Sequence, residues 1–92
     1  MEFEWDPNKA SRNLHKHGVS FNEAASVFGD PLSITVPDPD HSLDEERFII
    51  VGLSNRGRLL IAAFAERGEN VRLISARELT THERKAYEEG NF

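Results

Sequence analysis

The chain has 92 residues, 38% hydrophobic and 29% charged, and no cysteine, which fits a single soluble domain over 1–92 with a modest core and excludes disulfides, thiol catalysis and cysteine-bound metal centres. No run approaches the roughly 18 apolar residues of a membrane span, and the acidic start MEFEWDP lacks the features of a signal peptide, so a cytoplasmic location is expected. The net charge of −5 argues at first against a nucleic-acid partner, yet five of the 16 acids (Asp38, Asp40, Asp44, Glu45, Glu46) crowd into one segment, leaving 11 acids against 11 bases elsewhere.

In chain order, Phe3 and Trp5 alternate with acids, as in a short half-buried strand. Asp6-Pro7 starts a helix, with Asp capping and Pro at the first position. The helix is expected to end at Lys16 or His17, with Gly18 in the left-handed position beyond it. Its apolar stripe is thin, Ala10 and Leu14 with His17. Lys9, Arg12 and Lys16 share the other face at i, i+3 and i+7, either as a solvated stripe or as one that contacts phosphate or a partner protein. His15 and His17 point apart and cannot share a metal ion; a solvated His15 and a packed His17 are expected.

Ser20-Phe-Asn-Glu23 reads as a capping box opening a second short helix, with Phe21, Ala24, Ala25 and Phe28 on its buried face and Gly29-Asp30-Pro31 ending it. Leu32, Ile34 and Val36 alternate as a strand. PDPDHSLDEE follows as an extended acidic loop. It matches no metal-binding spacing and reads as solvated, or alternatively as a docking site for basic side chains. Phe48–Leu53 and Leu59–Ala65 are apolar on both faces, as covered central strands are. Short turns join them to each other and to Val71–Ser75, so they form an antiparallel meander. In the last strand Val71 and Leu73 face one way and Arg72 and Ile74 the other. Thr80-Thr-His-Glu83 is a second capping box, with Thr81 as an alternative cap, opening a helix that carries Glu83, Arg84, Tyr87 and Glu88 on one patch. The expected fold is α+β: an antiparallel sheet of about four strands, two N-terminal helices and a C-terminal helix.

The blocks FEWDPNKASRNLHKHGVSFNEAASVF, DP, EERFIIVG, GRLLIAAFAERGENVRLISAREL and T-ERKAYEE, in this order from Phe3 to about Glu89, resemble the BrnT family of type II toxin–antitoxin toxins. The resemblance implies a small ribonuclease with a RelE-like fold. It also implies neutralisation by a cognate antitoxin, usually of the ribbon-helix-helix class, with operator DNA bound only through that antitoxin.

The side chains suit a metal-independent ribonuclease without a cofactor. The substrate's 2′-OH attacks phosphorus, a base and an acid move protons, and fixed cations stabilise the transition state. Arg77, taken to lie just past the last strand, is the first candidate, because a guanidinium holds phosphate bidentately. Arg72 is the second, its partner being phosphate, Glu66 or Glu83. Glu83 and His82 are acid/base candidates. Tyr87 either contacts RNA or lies over the sheet. Lys16, His17, Arg47 and Arg84 are candidates for RNA binding, with proton transfer also open to the first three, and Lys9 and Arg12 for contact with the antitoxin. No metal ligands are expected. The alternative from another class is a non-catalytic binding module of the same fold that pairs with a DNA-binding antitoxin.

Overall fold

The computed structural model describes residues 1–39 and 46–92. Most of the acidic loop expected over 37–46 therefore lies outside the described residues. Of its described part, Pro37 ends a strand and Asp38 is buried, its amide donating to the Arg47 carbonyl at 2.9 Å, so the hairpin ladder continues one residue into the expected loop.

Among the described residues the elements are β1 (Phe3–Glu4), α1 (Pro7–His17), α2 (Phe21–Ser26) followed by a 3-10 turn (Val27–Gly29), β2 (Ile34–Pro37), β3 (Arg47–Leu53), β4 (Leu59–Arg67), β5 (Asn70–Glu78) and α3 (Thr81–Glu88). The sheet has five strands among the described residues, in the order β1-β5-β4-β3-β2. The meander β2–β5 is antiparallel as expected, but β1 joins it in parallel beside β5, pairing Phe3 with Val71 and Glu4 with Arg72. The sheet is thus mixed rather than a four-stranded antiparallel one. The helical segments between β1 and β2 allow the first strand to return to the far edge, as a parallel neighbour requires.

One sheet face is covered by α1, α2 and the 3-10 turn. Val19, Phe21, Ala24 and Val27 meet Ile50, Leu60, Ala62, Phe64, Val71, Leu73 and Ala76 there. An aromatic chain closes this core: Phe3 and Phe64 each meet Phe28 edge-on, with ring centres 5.0 and 4.9 Å away, and Phe48 stacks on Phe64 at 5.5 Å.

Three local expectations are corrected. Leu14 is 51% exposed, and α1 instead buries Asn13. The reason is that α1 lies along the edge of β5, whose backbone needs polar partners rather than a methyl group. Ser20 caps α2 by accepting from the Glu23 amide at 3.0 Å, but the Glu23 carboxylate does not return to Ser20. It is buried and accepts from Ser54 Oγ at 2.7 Å and Arg58 Nε at 2.9 Å, with Arg58 Nη2 also donating to it, because a buried carboxylate gains more from a guanidinium than from a cap. Leu32 is exposed and precedes β2 rather than belonging to it. The C-terminal capping box is complete and fixes Thr80 as the cap: Thr80 Oγ1 accepts from the Glu83 amide at 3.1 Å, and Glu83 Oε1 accepts from the Thr80 amide at 2.9 Å. No helix among the described residues is long and apolar enough to cross a membrane.

Candidate active site

The site is built on an irregularity of β5. Ala63 pairs with Ser75, but Phe64 pairs with Leu73, so Ile74 is an extra residue bulged out of the ladder. A bulge shifts the alternation of a strand by one. Val71 and Leu73 face the core, yet beyond the bulge it is Ala76 that does so, and Arg72, Ser75 and Arg77 all fall on the opposite, open face. Arg72 and Arg77 are five residues apart and would lie on opposite faces of a regular strand. Pairing continues through Arg77 to Glu78, so Arg77 belongs to β5 itself and not to the junction after it.

Along its outer edge β5 has β1 only at Val71 and Arg72. Further on, a side chain takes the place of a strand. Asn13 Nδ2 donates to the Ala76 carbonyl at 2.8 Å and to the Val19 carbonyl at 2.9 Å, and Asn13 Oδ1 accepts from the Ala76 amide at 3.0 Å. This clamp sets the C-terminal turn of α1 against the rim of the open face. The helix ends there because Gly18 takes φ 68°, its amide donating to the Leu14 carbonyl at 2.9 Å. His17, one turn beyond Asn13, is thereby brought over the rim.

The result is a cleft of about 230 Å³ lined by His17, Ser75, Ala76 and Arg77 over a floor of Ile49, Ile61 and Ala63. A second depression of about 380 Å³, lined by Lys9, Arg12, Asn13, Lys16, His17, Ile74 and Ser75, adjoins it. His17 and Ser75 belong to both, and among the described residues no carboxylate lines either.

Arg77 is held by Glu83. Nη1 donates to Oε1 at 2.7 Å and Nη2 to Oε2 at 3.0 Å, and Nη1 also donates to the Glu78 carbonyl at 3.2 Å. The Arg77 hydrogen bond, aided by the Thr80 amide, keeps the Glu83 carboxyl at about 2, far below its ordinary 4.5. The same bond raises the pKa of Arg77. Among the described residues nothing engages the Nε–H and the second Nη2–H. These two protons form the other fork of the guanidinium, the geometry that grips two phosphate oxygens.

The remaining candidates lie apart from this cleft. Arg72 Nη1 stands 3.6 Å from Glu4 Oε1. Its partner is therefore neither Glu66 nor Glu83 but the acid that β1 places opposite it in register. Arg47, Ala65, Arg72 and Glu4 form one row across the open face, two rows from Arg77. His82 lines a separate hollow with Lys85, Ala86, Glu89 and Asn91. Tyr87 Oη donates to the Leu32 carbonyl at 3.1 Å, which ties α3 to the approach to β2; burial, then the charge of Asp30, raises the Tyr87 pKa. Arg84 is exposed on α3. Ser75 and Asn13 were not foreseen. Ser75 reaches the cleft only through the bulge, and an Asn inside a helix carries no signal of the edge it clamps. Among the described residues no three His, Asp or Glu side chains converge as a metal site.

The family model of the ribonuclease toxin BrnT of type II toxin–antitoxin systems matches residues 5–83. The 1.1 Å crystal structure of the Brucella abortus ribonuclease toxin BrnT superposes with a TM-score of 0.69 at 23% sequence identity, covering 88% of this chain and 99% of that one. At that identity the likeness speaks for the fold. No curated protein matches the chain.

Proposed function

The chain belongs to the BrnT family of ribonuclease toxins of type II toxin–antitoxin systems, and from this premise we propose that it is a metal-independent endoribonuclease whose reaction takes place in the cleft between His17 and Arg77. The observation that carries this reading is the meeting of one imidazole, one hydroxyl and one half-engaged guanidinium in a cleft that, among the described residues, no carboxylate lines.

The chemistry follows from what these groups do. With the scissile phosphate on the free fork of Arg77, the substrate's 2′-oxygen attacks phosphorus and its proton passes to His17. The P–O5′ bond breaks, O5′ takes a proton from water on the open side of the cleft, and the hydroxide so formed takes back the proton that His17 had received, which restores water and the neutral imidazole. The products are a 2′,3′-cyclic phosphate and a 5′-hydroxyl, with no redox change. Arg77 stabilises the charge that grows on the non-bridging oxygens, and Ser75 donates to one of them. Glu83, with its pKa near 2, is too weak a base for proton transfer at neutral pH and serves to aim Arg77. His82, in its separate hollow, takes no part, and neither does Tyr87. Arg72, Arg47 and Arg84 lie outside the cleft and contact RNA only if it extends over the open face or α3.

Cleavage of messenger RNA would inhibit translation. Neutralisation falls to a cognate antitoxin, of the ribbon-helix-helix class by family resemblance, through which alone the complex meets operator DNA, in the cytoplasm. The alternative, a non-catalytic module that pairs with a DNA-binding antitoxin, makes no use of the free Arg77 fork or of the imidazole that lines the same cleft.

The test compares His17→Gln with His82→Gln on a defined single-stranded RNA. Loss of about 10²-fold or more in kcat for His17→Gln, with His82→Gln close to wild type, is expected. Equal activity of His17→Gln and wild type would remove His17 from the mechanism.

A further inference from the structure

Resting on that reading, we infer that α1 is a track for the RNA backbone, with Lys9, Arg12 and Lys16 holding phosphates beside the scissile one, so that the substrate is an extended single strand rather than a lone nucleotide step. The second depression puts these three side chains on its wall, and because it shares His17 and Ser75 with the cleft, the two form one groove from Lys9 to Arg77.

Charge is segregated along this groove. Acids outnumber Lys and Arg by five in the whole chain, yet among the described residues no Asp or Glu lines either depression. The three cations are exposed. Asp6, at the start of α1, has its pKa lowered chiefly by the Asn8 amide and only secondarily by Lys9 and Arg12. From Lys9 to Lys16 the helix rises about 10 Å. A charged wall over a narrow floor of Ile74 and Ser75 is poor in the apolar centre of a protein interface, where Lys is depleted. It is suited to a polyanion, whose binding is driven by such contacts. The cleft, with an aliphatic floor and a volume of about 230 Å³, takes an unpaired, splayed-out nucleotide and not a base-paired strand. Lys9 and Arg12, expected from the sequence to meet the antitoxin, are thereby assigned to substrate.

The test uses the full chain and a fluorescent, 2′-O-methylated ten-nucleotide RNA, which cannot be cleaved. Anisotropy titrations from 50 to 200 mM salt are made with wild type, Lys9→Ala/Arg12→Ala and the charge-matched control Arg56→Ala/Lys85→Ala, and cleavage of the unmodified RNA by wild type is followed alongside. For Lys9→Ala/Arg12→Ala the log Kd against log salt slope should fall by about 1.4, two contacts at about 0.7 each on a single strand, with affinity at 100 mM salt down about tenfold; the control should keep both. An unchanged slope and affinity for Lys9→Ala/Arg12→Ala would overturn the track and leave the stripe as a surface for a protein partner. Equal losses in both double variants would overturn it too, as a bulk-charge effect. Wild type that binds in this manner but cuts no RNA would leave the track standing and defeat the ribonuclease reading instead.

Discussion

Asn13 grips both backbone groups of Ala76, giving Nδ2–H to its carbonyl at 2.8 Å and taking its amide at 3.0 Å. One side chain on α1 thus does for β5 what a sixth strand would do. It also fixes where His17 stands relative to Arg77, because Asn13 and His17 are one helical turn apart and Ala76 adjoins Arg77.

Asn13→Ala should therefore be costly twice over. Three buried backbone groups, the amide and carbonyl of Ala76 and the carbonyl of Val19, lose their partner, at about 1–3 kcal/mol each where water cannot replace it, so urea denaturation should show about 3–5 kcal/mol of lost stability. Cleavage should fall further than the unfolded fraction explains, since the rim of the cleft loosens. Asn13→Asp keeps the acceptor for the Ala76 amide but sets a carboxylate against two carbonyls, and should be no better than Asn13→Ala.

The Arg77–Glu83 pair predicts an acid-sensitive fold. The Glu83 pKa is depressed from 4.5 to about 2. A carboxylate depressed in the folded state contributes stability that is fully present above the unfolded pKa and is lost as pH falls through the folded one. The window is therefore pH 4.5 down to about 2. The Arg77 side chain is 40% exposed, so solvent screening holds the contribution to about 1–2 kcal/mol. Glu83→Gln should lower Tm at pH 7 and flatten the decline across this window. A variant curve parallel to wild type would show that the pair does not govern the acid limb.

Glu23 and Arg58 tie α2 to the β3–β4 turn. The Glu23 side chain is 3% exposed, and its pKa is lowered first by the Arg58 hydrogen bond and then by Ser54, against the opposing effect of burial. Glu23→Ala should cost about 3 kcal/mol, much of it from taking away the buried carboxylate that Ser54 and Arg58 share, although Arg58 keeps the Gly18 carbonyl and Glu78. Glu23→Leu/Arg58→Met, which removes both charges and keeps volume, should recover most of that loss. Chemical denaturation of the two variants decides the matter.

Much of the fold was legible because local rules and global packing agree in this chain. The apolar runs 48–53 and 59–65 with their short turns announced the meander, and Thr80 with Glu83 announced the last helix. The parallel seat of β1 was not legible, because two residues carry no record of a partner almost 70 positions away. The bulge at Ile74 was hidden for a related reason: one added residue leaves composition unchanged and only re-phases alternation. The sequence does contain the relevant residues, since Arg77 and His17 were both among the candidates. What it lacks is the re-phasing that turns Ser75 and Arg77 to the open face and the Asn13 clamp that brings His17 to meet them. Glu83 shows the opposite case, a residue whose capping role was readable at once and whose grip on Arg77 was not.

The most direct measurement incubates the purified, partner-free chain with a defined single-stranded RNA in excess EDTA, beside Arg77→Ala, and identifies the product ends. The prediction is cleavage by wild type with 2′,3′-cyclic phosphate and 5′-hydroxyl ends, and a loss of about 10²–10³ in kcat for a folded Arg77→Ala. Cleavage that stops in EDTA, or that a folded Arg77→Ala carries out at the wild-type rate, would contradict a metal-independent reaction centred on Arg77.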